Sequence, residues 1–141
     1  MPTAHPTNPN RLLYSTGTRY EFQFGYSRAV RHGNIVRVAG TAGLKSDDQV
    51  VSNEVVGQMR AAIERMRTAL ADLGCSLDDV IMTRVYVKNV EDLDDVAVVH
   101  GEFFRDIRPA TTIVRVGDFI DPKILVEIEA EAVYGGADAK R

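Results

Sequence analysis

A chain of 141 residues, 45% hydrophobic and 26% charged, has the make-up of a single globular domain with its own core. Its 17 basic and 20 acidic residues give a net charge of −3, and the Lys and Arg side chains are scattered rather than gathered into a stripe, which argues against nucleic acid as a partner. One cysteine, Cys75, excludes an internal disulfide and a Cys-rich metal site, and no window is apolar for long enough to cross a bilayer.

In chain order, residues 1–10 are polar and Pro-rich, carry no secretion-like apolar stretch, and read as a frayed terminus of a cytoplasmic protein. The same reading applies to 135–141, leaving an ordered core over about 11–134 of one domain spanning 1–141. Ala29–His32 and Ile35–Ala39 flank Gly33-Asn34, which supplies the positive φ of a hairpin turn. Over 53–74, Val55, Met59, Ile63, Met66, Leu70 and Leu73 recur at spacings of three and four, the stripe of an amphipathic helix. Asn53 is a candidate cap at its start, and Gly74 a left-handed stop at its end. Ile81–Lys88 alternates as a strand. Asn89 is expected to cap a second helix with the inner stripe Leu93, Val96, His100, Phe103 and Phe104, and Pro109 prevents the next segment from being helical. Strands over 111–116 and 125–134 close the chain. The order β-β-α-β-α-β-β predicts an α+β two-layer sandwich, with two helices covering one face of a mixed sheet.

Alternation divides each strand between two faces. Val126, Ile128, Ala130 and Ala132 form the side the helices should cover, and Glu127, Glu129 and Glu131 the other. Three glutamates on one face repel unless cations pair with them, and Arg37, Arg84 and Arg115 are the available partners. Thr111 and Arg115 share a face opposite Val114 and Val116. The charged side is either a solvated face, as antiparallel sheets often have, or the interior of an oligomer.

Several segments carry a resemblance. Gly25-Tyr26-Ser27-Arg28-Ala29-Val30, Val38-Ala39-Gly40-Thr41, the Gly74–Val80 turn, Pro109-Ala110-Thr111-Thr112 and Glu127-Ile128-Glu129-Ala130 succeed one another at the spacing of the RidA/YjgF (Rid) family, also called endoribonuclease L-PSP-like. The resemblance runs from Gly25 to Tyr134 and implies a chorismate mutase-like fold. It further implies a homotrimer whose three sheets form a central barrel, with a small-molecule cleft between each pair of subunits. Active members hydrolyse reactive enamines and imines. Their Pro-Ala-Arg-Ser arginine clamps the substrate carboxylate in a bidentate pairing that threonine cannot copy. A glutamate matching Glu127 positions or activates water, and a tyrosine matching Tyr26 and backbone near Gly40 complete the cleft. Here Thr111 replaces the arginine, Ala39 a serine and Ala97 an asparagine.

The catalytic candidates are therefore Glu127 and His100, with Tyr26, Ala39, Gly40, Ala97, Thr111 and Ile113 as the expected substrate-binding wall. Glu127 reads either as the water-orienting carboxylate or as an ordinary partner of an arginine. His100 reads either as a hydrogen-bonded core or interface residue or as an acid–base group near neutral pH. Arg28 and Arg115 are possible substitutes for the missing clamp. Cys75 is read as structural, and no metal or other cofactor is expected. Three functions are compatible with these residues: hydrolysis of an imine, enamine or related small molecule other than classical 2-aminoacrylate; a non-catalytic ligand-binding or regulatory trimer; and, least favoured by the charge, an endoribonuclease or translation inhibitor.

Overall fold

The computed structural model describes residues 2–135, so the expectation of a frayed tail over 136–141 lies outside the described residues. The strands are β1 (Thr3–Ala4), β2 (Arg11–Tyr14), β3 (Ala29–His32), β4 (Ile35–Thr41), β5 (Val80–Val87), β6 (Ala110–Arg115) and β7 (Val126–Val133). The helices are α1 (Arg19–Phe24), α2 (Val55–Asp72) and α3 (Leu93–Phe104). One sheet holds all seven strands in the order β1-β2-β3-β4-β7-β5-β6. Only β5 and β6 pair in parallel; every other neighbour is antiparallel. The connections explain this. Helix α3 carries the chain from β5 back to a parallel β6, whereas β7 slots between β4 and β5, the two strands that α2 connects.

The helical layer forms as the apolar periodicity requires. Val55, Met59, Ile63, Met66, Leu70 and Leu73 are all buried, and α3 adds Val96, Val99 and Phe104. They pack on Val36, Val38, Val85, Val87, Val126, Ile128, Ala130 and Ala132 of the sheet. The α+β two-layer class is therefore the observed one. The hairpin turn at Gly33 (φ +60°) and the stop at Gly74 (φ +88°) take the left-handed conformation expected of them.

Three local expectations need correction. The chain has more elements than the β-β-α-β-α-β-β order, because β1, β2 and α1 precede the first hairpin. Asn53 does not cap α2: the preceding residue is Glu54, whose N–H is held by Ser52 Oγ at 3.0 Å. Asn89 opens a short 3₁₀ turn over Val90–Asp92 ahead of α3 and makes no capping bond from its side chain.

Helix α1 had a signature in the sequence, Thr18-x-x-Glu21, the spacing of a capping box. Glu21 is buried and receives hydrogen bonds from Ser15 Oγ (2.8 Å), Thr18 Oγ1 (2.8 Å), the Thr16 N–H (3.1 Å) and the Thr16 hydroxyl. Burial alone would raise the pKa of Glu21, but the bonds from Thr16, Ser15 and Thr18 outweigh it and hold the carboxyl below its ordinary value. A depressed folded-state pKa contributes stability that is present above the unfolded value and lost as pH falls through the folded one. Glu21→Gln is thus expected to lower the urea midpoint near neutrality and to flatten its fall on the acid side. An acid limb identical in the two proteins would refute this.

Candidate active site

The candidate site is built where β4 parts from β7. Pairing is regular from Ile35↔Val133 to Val38↔Ala130 and then slips before Thr41↔Ile128, leaving Ala39 and Gly40 in a bulge. Bulges of this kind re-aim side chains and end pairing beside functional sites. The bulge is held from both sides. Thr41 Oγ1 donates to the Ala39 carbonyl at 2.7 Å, and Arg28 Nη2 donates to the Gly40 carbonyl and to Thr41 Oγ1. Glycine at position 40 leaves room for Glu127: a Cβ there would stand 2.8 Å from Glu127 Oε1.

Around this point lies a cavity of about 170 Å³ lined by Thr18, Tyr20, Tyr26, Arg28, Arg65 and Glu127, among others. The capped start of α1 supplies Thr18 and Tyr20, and the left-handed Gly25 turns the chain so that Tyr26 comes next. The connection before β7 supplies Ile120, Asp121 and Ile124. It is pinned by Gln58, fully buried on α2. The Gln58 amide donates to the carbonyls of Ser52 and Lys123 (both 2.9 Å) and accepts from the Leu125 N–H (2.8 Å). Every strong hydrogen-bonding direction of that amide but one is used, so the segment entering β7 has a defined position.

Burial raises the pKa of Glu127 above its ordinary value, opposed by the positive charges of Arg28 and Arg65. No ion pair among the described residues includes Glu127, Arg28 or Arg65. Arg65 donates Nη1 to the Ala42 carbonyl at 2.6 Å, and burial, followed by the nearby charge of Arg28, pushes its own pKa down. A carboxyl that is drawn toward neutrality but still faces cations can accept and return a proton.

A second cluster surrounds Thr111. The parallel register Thr83↔Thr111 and Val85↔Ile113 puts Thr111, Ile113 and Arg115 on the helix side of β6. Thr83 Oγ1 lies 2.9 Å from His100 Nε2 and 2.7 Å from Thr111 Oγ1, and Thr111 donates to the Pro109 carbonyl at 3.1 Å. One proton assignment satisfies all three bonds: Nε2–H of His100 to Thr83, Thr83 to Thr111, and Thr111 to Pro109. His100 also stacks on Phe104 (centroids 4.6 Å apart, planes at 27°), and burial lowers its pKa. Ala97, one turn earlier on α3, is exposed.

The structure therefore brings Tyr26, Gly40 and Glu127 into one cavity beside Ala39 in the bulge. Thr111 and His100 meet separately at Thr83, with Ile113 on the same side of β6 and Ala97 one turn from His100 on α3. Glu127 pairs in register with Tyr86, on the face opposite the helices, so Glu127 and His100 occupy opposite sides of the sheet within one chain. Arg37 and Arg84 do reach the glutamate row: Arg37 is 3.6 Å from Glu131, Arg84 is 3.6 Å from Glu131 and 3.8 Å from Glu129, and the Tyr86 hydroxyl donates to Glu129. Arg115 does not belong to that row. Ile113, not Val114, is the β6 residue packed against the core, and Arg115 shares its side.

Sequence reasoning missed Arg65 and Thr83. Arg65 lies off the apolar stripe of its helix, and Thr83 has no sequence signal beyond alternation with Val85 and Val87. Among the described residues, no group of three or more His, Cys, Asp and Glu side chains could hold a metal ion, and no helix is long and apolar enough to cross a membrane.

Residues 16–134 match the family model described as endoribonuclease L-PSP. A crystal structure of Rv2704 from Mycobacterium tuberculosis, described as a member of the highly conserved YjgF/YER057c/UK114 family, is 41% identical with a TM-score of 0.80, over 87% of this chain and 98% of that one. The 3-aminoacrylate deaminase RutC of Acinetobacter baylyi is 32% identical, over 76% of this chain and 85% of its own. The human 2-iminobutanoate/2-iminopropanoate deaminase is 30% identical, over 78% of this chain and 80% of its own.

Proposed function

Because the chain belongs to the RidA/YjgF (endoribonuclease L-PSP) family, we propose that it binds a small metabolite and hydrolyses an imine or enamine, with Glu127 as the group that handles water. The observation that carries this reading is the setting of Glu127: a half-buried carboxyl of raised pKa beside Gly40 and Tyr26, with no ion-pair partner among the described residues. The chemistry is balanced by one water. Its oxygen bonds to the imine carbon while the C=N π electrons pass to nitrogen, and Glu127 takes one proton from that water and gives it to nitrogen, leaving a neutral carbinolamine. In the collapse of the carbinolamine the O–H electrons form the C=O bond as the C–N bond breaks, Glu127 carries the hydroxyl proton to nitrogen, and ammonia leaves behind a carbonyl product. Tyr26, in the same cavity, can hydrogen-bond the substrate or the water.

The assembly proposed is a homotrimer with clefts between subunits. The open side of the sheet supports it: Ile35, Val114 and Val133 are exposed on the face that carries the half-buried Arg–Glu row. A closed barrel would cover that mixture. It would also give His100, Thr111, Ala97 and Ile113 a role, as the wall one subunit turns toward the Glu127 cavity of the next. Thr111 cannot take over the work of an arginine, since its hydroxyl is committed to Thr83 and Pro109 and carries no charge. That favours a substrate held in a different way from the arginine clamp of the active family members.

The test generates imines enzymatically from a panel of amino acids and amines, and tracks the carbonyl product with and without the protein beside a nucleophilic trap. Faster release than in buffer for at least one substrate is expected, together with a trimeric mass by light scattering. No acceleration for any substrate would end the enzymatic reading, and a monomer would end the shared cleft. A ligand that stabilises the protein without being turned over would leave a binding trimer in its place.

A further inference from the structure

Arg28 and Arg65 converge on the Glu127 cavity from two elements distant in sequence, the turn before β3 and the middle of α2. Each has a structural duty at the end of β4. Arg28 holds Gly40 and Thr41 through Nη2, and Arg65 holds Ala42 through Nη1. Those duties use one terminal nitrogen of each guanidinium. Among the described residues the other nitrogens have no hydrogen-bond partner, and they are not sealed off either, since neither arginine contributes an unpaired buried atom. An arginine satisfied at one corner and open at the rest presents a fork that fits a carboxylate.

Two like charges meet here without a carboxylate against either of them. Their mutual repulsion is felt at Arg65, whose pKa burial lowers first and the charge of Arg28 next. The acidic groups lining the same cavity are Glu127, Asp48 and Asp121. Glu127 is held toward its neutral form by burial. Asp121 accepts the N–H of Lys123 at 2.9 Å, and Asp48 is exposed at the rim. A small anion between the two guanidiniums would relieve their repulsion and fill donors that have no hydrogen-bond partner among the described residues.

We propose that Arg28 and Arg65 form a carboxylate-binding subsite that receives the acid end of a small oxo- or imino-acid, with its reacting carbon toward Glu127. This rests on the imine-hydrolase reading and deepens it. The anchor that Thr111 cannot provide is supplied instead from α2 and the turn before β3, in the same chain that supplies Glu127. The substrate would consequently be gripped within one subunit.

The test is direct binding, which needs no turnover. Pyruvate and its uncharged isostere pyruvamide are titrated by calorimetry against the natural chain, Arg65→Met, Arg28→Met and Thr111→Val. The natural chain is expected to prefer pyruvate by about tenfold or more, as a charge-assisted contact requires. Arg65→Met should remove that preference with only a modest fall in thermal melt, because the methionine keeps the apolar stem in place but frees the Ala42 carbonyl. Thr111→Val should retain the preference. Arg28→Met is the less decisive variant, since it also frees Gly40 and Thr41. Equal affinity for the two probes, no binding of pyruvate, or a preference that survives Arg65→Met would each overturn the subsite. The two readings fail separately: a protein that selects pyruvate but hydrolyses no imine refutes the activity alone, and an active protein indifferent to the carboxylate refutes the subsite alone.

Discussion

Glu127→Gln is expected to reduce imine hydrolysis by about 10²- to 10⁴-fold, the usual range for removing a positioned acid–base group, while leaving the fold at least as stable near neutrality. The amide keeps the size and shape of the side chain beside Gly40 but can neither take a proton from water nor return one to nitrogen. Stability should move the other way because of the sign of the pKa shift. Burial raises the folded-state pKa of Glu127, so the folded protein binds more protons than the unfolded chain between the two values. Stability therefore falls as pH rises through that window, and the penalty is complete above the folded pKa. Glutamine removes the penalty. The hydrolysis proposed for the natural chain should also fall off on the acid side at a higher pH than an ordinary carboxylate would dictate, since only the ionised form accepts a proton from water. Rates across pH, set beside urea midpoints of the two proteins at pH 5 and pH 8, test both halves. A variant with undiminished activity, or one destabilised at pH 8, would contradict this account of Glu127.

Gly43→Ala should be the most damaging conservative change to the scaffold, at about 3 kcal/mol, near the upper end of ordinary overpacking costs. A Cβ at Gly43 would lie 2.3 Å from the carbonyl oxygen of Gln58 and 2.9 Å from its Cα. These are backbone atoms of α2 and have no rotamer to swing away. Moving them would pull Gln58 off Ser52, Lys123 and Leu125, and Ala42 off Arg65. In a chain of this size the loss corresponds to roughly 10 °C in Tm. Gly117→Ala is the control, because a Cβ there meets nothing within 4 Å. Melting curves of the two variants should differ widely; a shift below about 2 °C for Gly43→Ala would show that the helix yields more easily than close packing implies.

The core was readable because its physics is periodic. The six apolar positions of α2 and the alternating residues of β7 point to a helix on a sheet whatever surrounds them, and all ten turned out buried. Val99 was missed on α3 in favour of His100, although the two are neighbours on the helix surface. His100 is only partly buried, and its ring bonds to the buried Thr83. Helix α1 was legible in principle from Thr18 and Glu21, but six residues offer too little periodicity to announce themselves. At β6 alternation correctly grouped Thr111 with Arg115. Which side that group would face depended on its register with β5, a property of the paired strands and not of β6 alone.

For the site, the chain alone determined which chemical groups are kept and which are gone: Glu127 and Tyr26 present, threonine in place of an arginine at 111, alanines at 39 and 97. These are local identities, and a pattern of segments in order is enough to read them. The surroundings of each group were decided by tertiary structure. Residues 28, 65 and 127 share a cavity only because a bulge in β4, a turn before β3 and the middle of α2 close on one another. The same packing ties the Thr111 hydroxyl to Thr83 and places His100 across the sheet from Glu127. Sequence carries periodicity and residue chemistry over short spans, whereas proximity between distant segments, and the burial that shifts a carboxyl toward neutrality, exist only once the chain has closed on itself.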